Sequence, residues 1–85
     1  MKSVQVTILH NSRDKDTISQ GLQVPADLNL ALEKISDEID IDLSKRLKLD
    51  MQLMINGEEV AIDSPAKIKL EDGDRIVFFP GIGGG

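Results

Sequence analysis

The sequence contains no cysteine, tryptophan or tyrosine, and it has one histidine. Without cysteine, disulfides, thiolate metal sites and cysteine nucleophiles are all excluded. Secreted domains this small often depend on disulfides, so their absence favours a reducing compartment and predicts a cytoplasmic protein. The first residues alternate apolar and polar side chains, and no run approaches the roughly 20 apolar residues of a membrane span. We therefore expect neither a secretory leader nor a membrane contact.

Positive charge is also sparse. Ten Lys and Arg residues stand against fifteen Asp and Glu, for a net charge of -5, and the basic residues are spread from Lys2 to Arg75 without forming a block. Nucleic acid is therefore not an expected partner, because phosphate binding needs concentrated positive charge. An acidic chain instead favours a partner protein with a basic surface.

The donor set for a metal ion is poor. His10 has no cysteine partners, which leaves a zinc site unsupported. Residues 40–44 resemble the start of a calcium loop, but the glycine at the sixth position and the glutamate at the twelfth are missing. We interpret these acidic residues as solvated charge and expect no metal.

The 85 residues suffice for one domain, and 40% hydrophobic with 29% charged residues is a globular composition. Val4, Val6 and Ile8 alternate with polar residues, which predicts a strand, and a second strand is predicted over 17–24. The polar link over 11–16 makes the two strands a hairpin.

After the second predicted strand, the apolar residues recur with the spacing of an α-helix. Leu28, Leu32, Ile35 and Ile39 form one apolar stripe, and Asp27 is the preferred N-cap, with Asn29 as the competing choice.

The stretch from Asp40 to Asp50 has no clear period, although its apolar residues are expected to be buried. They are Ile41, Leu43, Leu47 and Leu49. A further strand leads to Asn56-Gly57, a pair suited to a tight hairpin turn, and the last strand spans 75–79. One helix among several strands predicts an α+β domain, with the helix packed across one face of a mixed sheet.

Three segments together resemble the small subunit of molybdopterin synthase and the related sulfur carrier of thiamine synthesis. They are Ile55-Asn56-Gly57-Glu58, Leu70-Glu71-Asp72-Gly73-Asp74-Arg75-Ile76, and Phe78-Phe79-Pro80 followed five residues later by the end of a Gly84-Gly85 pair. The resemblance covers nearly the whole chain. It implies a ubiquitin-like β-grasp domain over 1–80 and a flexible glycine-rich tail over 81–85.

The resemblance also implies a function. Gly85 would be adenylated by a ubiquitin-activating-type adenylyltransferase and converted to a thiocarboxylate by a sulfur donor. ATP would be used by that partner, so no cofactor is expected on this chain, and no catalytic cluster of its own is expected. In molybdopterin-type members the tail then enters the large subunit of molybdopterin synthase. Gly84 and Gly83 would give access, because glycine lets backbone pass where side chains cannot.

The last strand predicts a docking surface. Ile76 and Phe78 take the inward positions, so Val77 and Phe79 are expected to point outward. In a β-grasp fold this strand is central, which would place Met54 and Thr7 beside them. Such exposed apolar side chains form a patch suited to a partner.

Two residues link this patch to the tail. Pro80 fixes its own φ and limits how the chain leaves the strand, and Ile82 extends the apolar surface. The chain has Pro80-Gly81 where Pro-Pro is common in the molybdopterin-type members, and Gly83 where Ser, Thr or Ala often stands. The pathway that receives the sulfur therefore stays open, with molybdopterin synthesis as the leading hypothesis and the synthesis of thiamine or of sulfur-containing amino acids as alternatives.

Other functions share these features. A protein modifier would use the same activated Gly85 to form an isopeptide bond with a lysine. A plain β-grasp binding module would have no chemistry at its end, and its terminal glycines would be an ordinary frayed terminus.

Overall fold

The computed structural model describes residues 1–9, 17–49, 51–60 and 68–81. Its elements in chain order are β1 (Lys2–Leu9), β2 (Thr17–Val24), α1 (Leu28–Ile39), α2 (Leu43–Leu49), β3 (Met51–Ile55), β4 (Glu58–Val60) and β5 (Arg75–Pro80). The five strands form one sheet in the order β2-β1-β5-β3-β4. β1 and β5 are parallel, and the other neighbours are antiparallel. The predicted α+β class with a mixed sheet is confirmed.

The N-terminal hairpin has a regular register. β1 and β2 pair residue by residue from Lys2↔Val24 to Leu9↔Thr17. The polar link over 11–16 lies outside the described residues. On its other side β1 pairs with β5, so the last strand of the chain lies in the middle of the sheet.

Asp27 caps α1, as predicted. Its carboxylate accepts hydrogen bonds from the amides of Asn29 at 2.9 Å and Leu30 at 3.3 Å. These are two of the first-turn N–H groups that lack a partner within the helix. The same carboxylate lies 3.7 Å from the ammonium of Lys69, which ties the start of the helix to the segment before β5.

The predicted helix stripe lies against the sheet. Leu28 and Ile35 are 0% exposed and Leu32 is 3% exposed, while Ile39 is partly buried against the same core. The inward residues of the strands meet them there, and Phe78 is the largest fully buried side chain. This single apolar layer holds the helix to one face of the sheet, and no helix of the described residues packs on the other face.

The structure adds a second helix, α2, where the sequence showed no clear period. Asp42 caps it, since its carboxylate accepts a hydrogen bond of 3.1 Å from the amide of Lys45, so this acid is a cap as well as solvated charge. Leu43 and Leu47 are buried, as expected, but Leu49 is 71% exposed. The expectation for Leu49 was wrong because it lies about 200° around the helix from Leu47.

The Asn56-Gly57 turn joins β3 to β4 as predicted. Asn56 has φ 54° and Gly57 has φ 82°. Both residues are in the left-handed region that a two-residue hairpin turn requires, where Asn and Gly are favoured. Ile55 and Glu58 pair directly across it.

Candidate functional site

The candidate site is built on β5. Ile76 and Phe78 are 0% exposed on the helix side of the sheet, as predicted. Val77 and Phe79 alternate with them and therefore point to the opposite, outer face. β5 has a neighbouring strand on each side, so its outer side chains are flanked from both directions.

Val77, Phe79 and Met54 form what we call the outer patch. Val77 pairs with Thr7 of β1 on one side and with Met54 of β3 on the other. Phe79 pairs with Gln52. Thr7 and Met54 are thus the neighbours that the sequence predicted for this strand.

The outer patch is half-buried, whereas the sequence predicted an exposed aromatic side chain at Phe79. The strongly exposed large apolar residues of the described chain are Met1, Leu30 and Leu49, which lie elsewhere. Phe79 is less exposed than expected because side chains on neighbouring strands lie about 5 Å away on the same face. The outer patch is therefore an apolar surface that its own neighbours partly cover.

Leu9 is a further member of this surface that the sequence interpretation missed. It is half-buried, and it follows Thr7 on the outer side of β1. The parallel register ends at Ile8↔Phe78, so the next position along places Leu9 level with Phe79. The sequence feature that could have placed Leu9 on the outer face is its alternation with the inward-facing Ile8.

Polar residues border the outer patch. Gln5 donates a hydrogen bond of 3.0 Å to the hydroxyl of Ser19, and the hydroxyls of Ser19 and Thr7 are 3.2 Å apart. Arg75 is exposed at the start of β5, and Glu59 is exposed beside Met54. The apolar area is thus confined to the end of β5 from which the chain leaves the sheet.

The opposite end of β5 is held by the predicted turn at 72–74. The amide of Gly73 donates a hydrogen bond of 2.7 Å to the carbonyl of Ser3, and the amide of Ser3 donates one of 2.8 Å to the Asp72 carboxylate. Gly73 has φ 89°, a conformation that favours glycine. These bonds fix where β5 begins relative to β1, and so fix the residues of the outer patch.

The exit from the sheet is at Pro80. It pairs with Met51 at the end of β5, and the half-buried Gly81 follows it. A proline at the last position of a strand costs no interior ladder hydrogen bond. Ile82, Gly83, Gly84 and Gly85 lie outside the described residues, so their predicted roles stay predictions.

The described part of the chain offers little chemistry of its own. Within residues 1–9, 17–49, 51–60 and 68–81, no three His, Cys, Asp or Glu side chains are grouped so that they could hold a metal ion. Neither helix in these ranges has the length and hydrophobicity to cross a membrane. The candidate site is therefore a half-buried apolar patch on the outer face of the sheet, next to the point where the chain leaves β5.

Solved structures with the same fold include two small proteins. The Haloferax volcanii HVO 2177 protein is 24% identical, with a TM-score of 0.65 over 99% of this chain and 87% of that chain. The small archaeal modifier protein 1 (SAMP1) from Methanosarcina acetivorans is 16% identical, with a TM-score of 0.59 over 100% of this chain and 98% of that chain. No protein-family model and no curated protein matches the sequence. The likeness establishes the fold, and this chain has the ubiquitin-like β-grasp fold that its sequence predicts.

Proposed function

We propose that this chain is a cytoplasmic sulfur carrier that works through the carboxylate of Gly85. A partner adenylyltransferase activates Gly85 with ATP, and a sulfur donor converts the product to a thiocarboxylate. The sulfur is then delivered to cofactor synthesis, with molybdopterin as the first pathway to test. The observation that carries this proposal is the position of the outer patch, directly before the exit at Pro80 and Gly81.

The chemistry explains why such a chain needs no catalytic residues. A free carboxylate is a poor electrophile, so an oxygen of Gly85 attacks the α-phosphate of ATP and pyrophosphate leaves. Sulfide sulfur from the donor then adds to the acyl carbon, and AMP leaves. The partner supplies the groups that stabilise charge in both steps, while the carrier supplies the acyl group and its position.

The length of the tail supports a joint role for the outer patch and the acyl group. Residues 81–85 can span about 17 Å when extended, at roughly 3.3–3.6 Å per residue. An enzyme docked on Val77 and Phe79 can therefore bind Gly85 in an active site that lies below the surface of the enzyme. Pro80 limits the exit direction, Ile82 extends the apolar contact, and Gly83 and Gly84 fit a narrow channel.

Partner docking fits the composition of this surface. Phe79 supplies a large apolar area with few rotatable bonds, and Met54 supplies a side chain that adapts to different partners. A carrier must bind an activating enzyme and then an acceptor. The large subunit of molybdopterin synthase is the first candidate for the acceptor. The net charge of -5 favours encounter with basic surfaces on both.

A second candidate function is protein modification. It is favoured by the name of a protein with a similar structure, the small archaeal modifier protein SAMP1. In this case the amine of a substrate lysine attacks the activated Gly85 and forms an isopeptide bond. The fold, the outer patch and the tail serve both functions equally.

The test is the intact mass of the protein from its native host, measured before and after incubation with ATP, a sulfide source and a candidate adenylyltransferase. Replacement of one oxygen by sulfur, located to Gly85, supports the carrier. Higher-mass conjugates joined through Gly85 to lysine support the modifier. An unchanged mass with a verified active partner, and no conjugates in cells, contradicts both and leaves a β-grasp binding module. The same measurement establishes which residue carries the terminal carboxylate.

A further inference from the structure

The two edges of the sheet differ in how they are protected. β4 forms one edge, is three residues long and carries Glu58 and Glu59. β2 forms the other edge, is eight residues long and contains no charged residue and no proline. Natural proteins usually protect a long edge strand with charge, proline or a bulge, because an unprotected edge is a template for another strand.

The geometry of β2 suits strand addition. Its eight residues pair with β1 without a bulge, so the strand is regular along its whole length. Among the described strands β2 pairs only with β1. Alternate N–H and C=O groups of an edge strand point away from its neighbour, and here they form a row that another backbone can bind.

Side chains on the helix side of β2 add an apolar border. Ile18 and Leu22 are half-buried and pack against the core, with the exposed Gln20 between them. A strand placed beside β2 would bring its own side chains against Ile18 and Leu22. Alternating aliphatic residues would therefore bind better than alternating polar ones.

Helix α1 lies on the same face of the sheet as Ile18 and Leu22 and contacts β2. Ser36 faces α2, because its hydroxyl accepts a hydrogen bond of 3.1 Å from the amide of Leu43. Glu38 lies about 200° around the helix from Ser36 and Lys34 lies on the same flank, which is the flank towards β2. Their side chains are 3.2 Å apart and about half exposed. This exposed i,i+4 ion pair is weak, so Glu38 can also contact a cation on an added strand.

We propose that the β2 edge is a second binding surface, which takes an extended segment of a partner protein as a sixth strand of the sheet. The segment alternates aliphatic residues and is flanked by Lys or Arg. Main-chain hydrogen bonds supply the affinity, and Ile18 and Leu22 supply the specificity. This binding is non-covalent and independent of the chemistry proposed for Gly85.

Charge favours a basic segment over a second copy of this chain. Each copy carries a net charge of -5. Antiparallel pairing of two β2 edges would also place both α1 helices on the same face of the joined sheet. α1 carries Glu33, Asp37 and Glu38 against the single cation Lys34, so two such helices repel each other.

The test uses a fluorescein-labelled peptide, Lys-Lys-Val-Thr-Val-Thr-Val-Lys-Lys, titrated with the full chain. We expect a dissociation constant on the order of 10⁻⁴ M, because one added strand is a small interface. Two further peptides carry backbone N-methyl groups on the three Val residues or on the two Thr residues. Only one of these two sets of N–H groups can face β2, so one peptide should lose binding and the other keep it.

Matched variants locate the site on the chain. Gln20→Lys and Gln23→Lys change the charge equally at two exposed positions of β2. Gln20 pairs with Val6 and lies between Ile18 and Leu22 on the helix side, whereas Gln23 pairs with Ser3 and points to the outer face. We expect Gln20→Lys to weaken binding of the peptide about tenfold and Gln23→Lys about twofold or less. Amide exchange should slow at alternate residues of β2 and stay unchanged in β4.

Other results overturn the proposal. They are binding that both methylated peptides retain, amide protection at the outer patch in place of β2, and no binding below about 1 mM peptide. Equal effects of the two lysine variants would show a purely long-range charge effect and would also overturn it. Concentration-dependent dimers that protect β2 without peptide would identify a second copy as the occupant.

Discussion

Asn56 and Asp74 are joined by a hydrogen bond of 2.9 Å from Nδ2 of Asn56 to Oδ1 of Asp74, across 18 residues of sequence. Oδ1 of Asn56 accepts a second bond of 3.0 Å from the amide of Arg75. Oδ2 of Asp74 accepts one of 2.8 Å from the amide of Glu71. The β3–β4 turn is thereby tied to the start of β5, at the end opposite the chain exit.

Removal of this link should lower stability. Asn56→Gly keeps a residue suited to φ 54° but removes both side-chain bonds, and we expect a loss of about 1–3 kcal/mol in the free energy of unfolding, measured with urea. Asp74→Ala should cost a similar amount. Because the two residues share one network, the double variant should cost at least about 0.5 kcal/mol less than the sum. Additive losses would contradict the link.

The cap of α1 gives a second prediction. Asp27→Ala removes the acceptor for two first-turn amides and should lower the free energy of unfolding by about 1 kcal/mol. Asn29→Ala, at the competing cap position of the sequence, should change it by less than about 0.5 kcal/mol. Equal losses in the two variants, measured by thermal or urea unfolding, would show that Asp27 does not act as the cap.

Substitutions of the two adjacent phenylalanines should differ in their effect on stability, because the side chains lie on opposite faces of the sheet. Phe78 is 0% exposed, so Phe78→Ala should destabilise the fold by about 3–5 kcal/mol. Phe79 is half-buried on the outer face, so Phe79→Ala should cost about 1.5 kcal/mol or less. Urea unfolding of both variants measures this contrast, and equal losses would contradict the assigned strand faces.

Phe79→Ala should affect the partner reaction more than the fold. In ATP–pyrophosphate exchange with a candidate adenylyltransferase, we expect KM for the carrier to rise about tenfold, as for loss of an aromatic contact at an interface, with a smaller change in kcat. Leu30→Ala is a matched control, because Leu30 is 50% exposed on α1, away from the outer patch. An unchanged KM for Phe79→Ala would show that the adenylyltransferase does not bind at the outer patch.

The tail gives a prediction about chemistry alone. One alanine added after Gly85 should abolish adenylation, because the activated carboxylate would be displaced by one residue and would carry a side chain. One alanine added before Met1 is the matched control and should leave adenylation unchanged. Both chains should unfold at the same urea concentration. Full adenylation of the extended chain would contradict the requirement for Gly85 as the terminal residue.

Local sequence signals predicted most of the elements of the fold. The alternation in β1 and β3, the apolar stripe of α1 and its cap Asp27, and the Asn56-Gly57 turn are all confirmed. Each depends on residues close together in the chain, such as a carboxylate two residues before the amide that it accepts from.

The second helix and the exposed Leu49 show where local signals were insufficient. α2 is seven residues long, too short to display its period clearly, and its helical state depends on Leu43 and Leu47 reaching the core. Leu49 has the same hydrophobicity as these two residues. Its exposure follows from its position around a helix that the sequence did not reveal.

Some features of the candidate site were also predictable from the local sequence, and others were not. Alternation was enough to place Val77 and Phe79 on the face opposite Phe78, and the residue order alone placed Pro80 and the glycines after them. The central position of β5 was expected from the resemblance to β-grasp proteins and not from the local pattern. Tertiary structure decided that Phe79 is half-buried and that β2, among the described strands, has a neighbour on one side only. These features depend on which distant strands share a hydrogen-bond ladder, and the local pattern of apolar residues is the same whichever strand lies alongside.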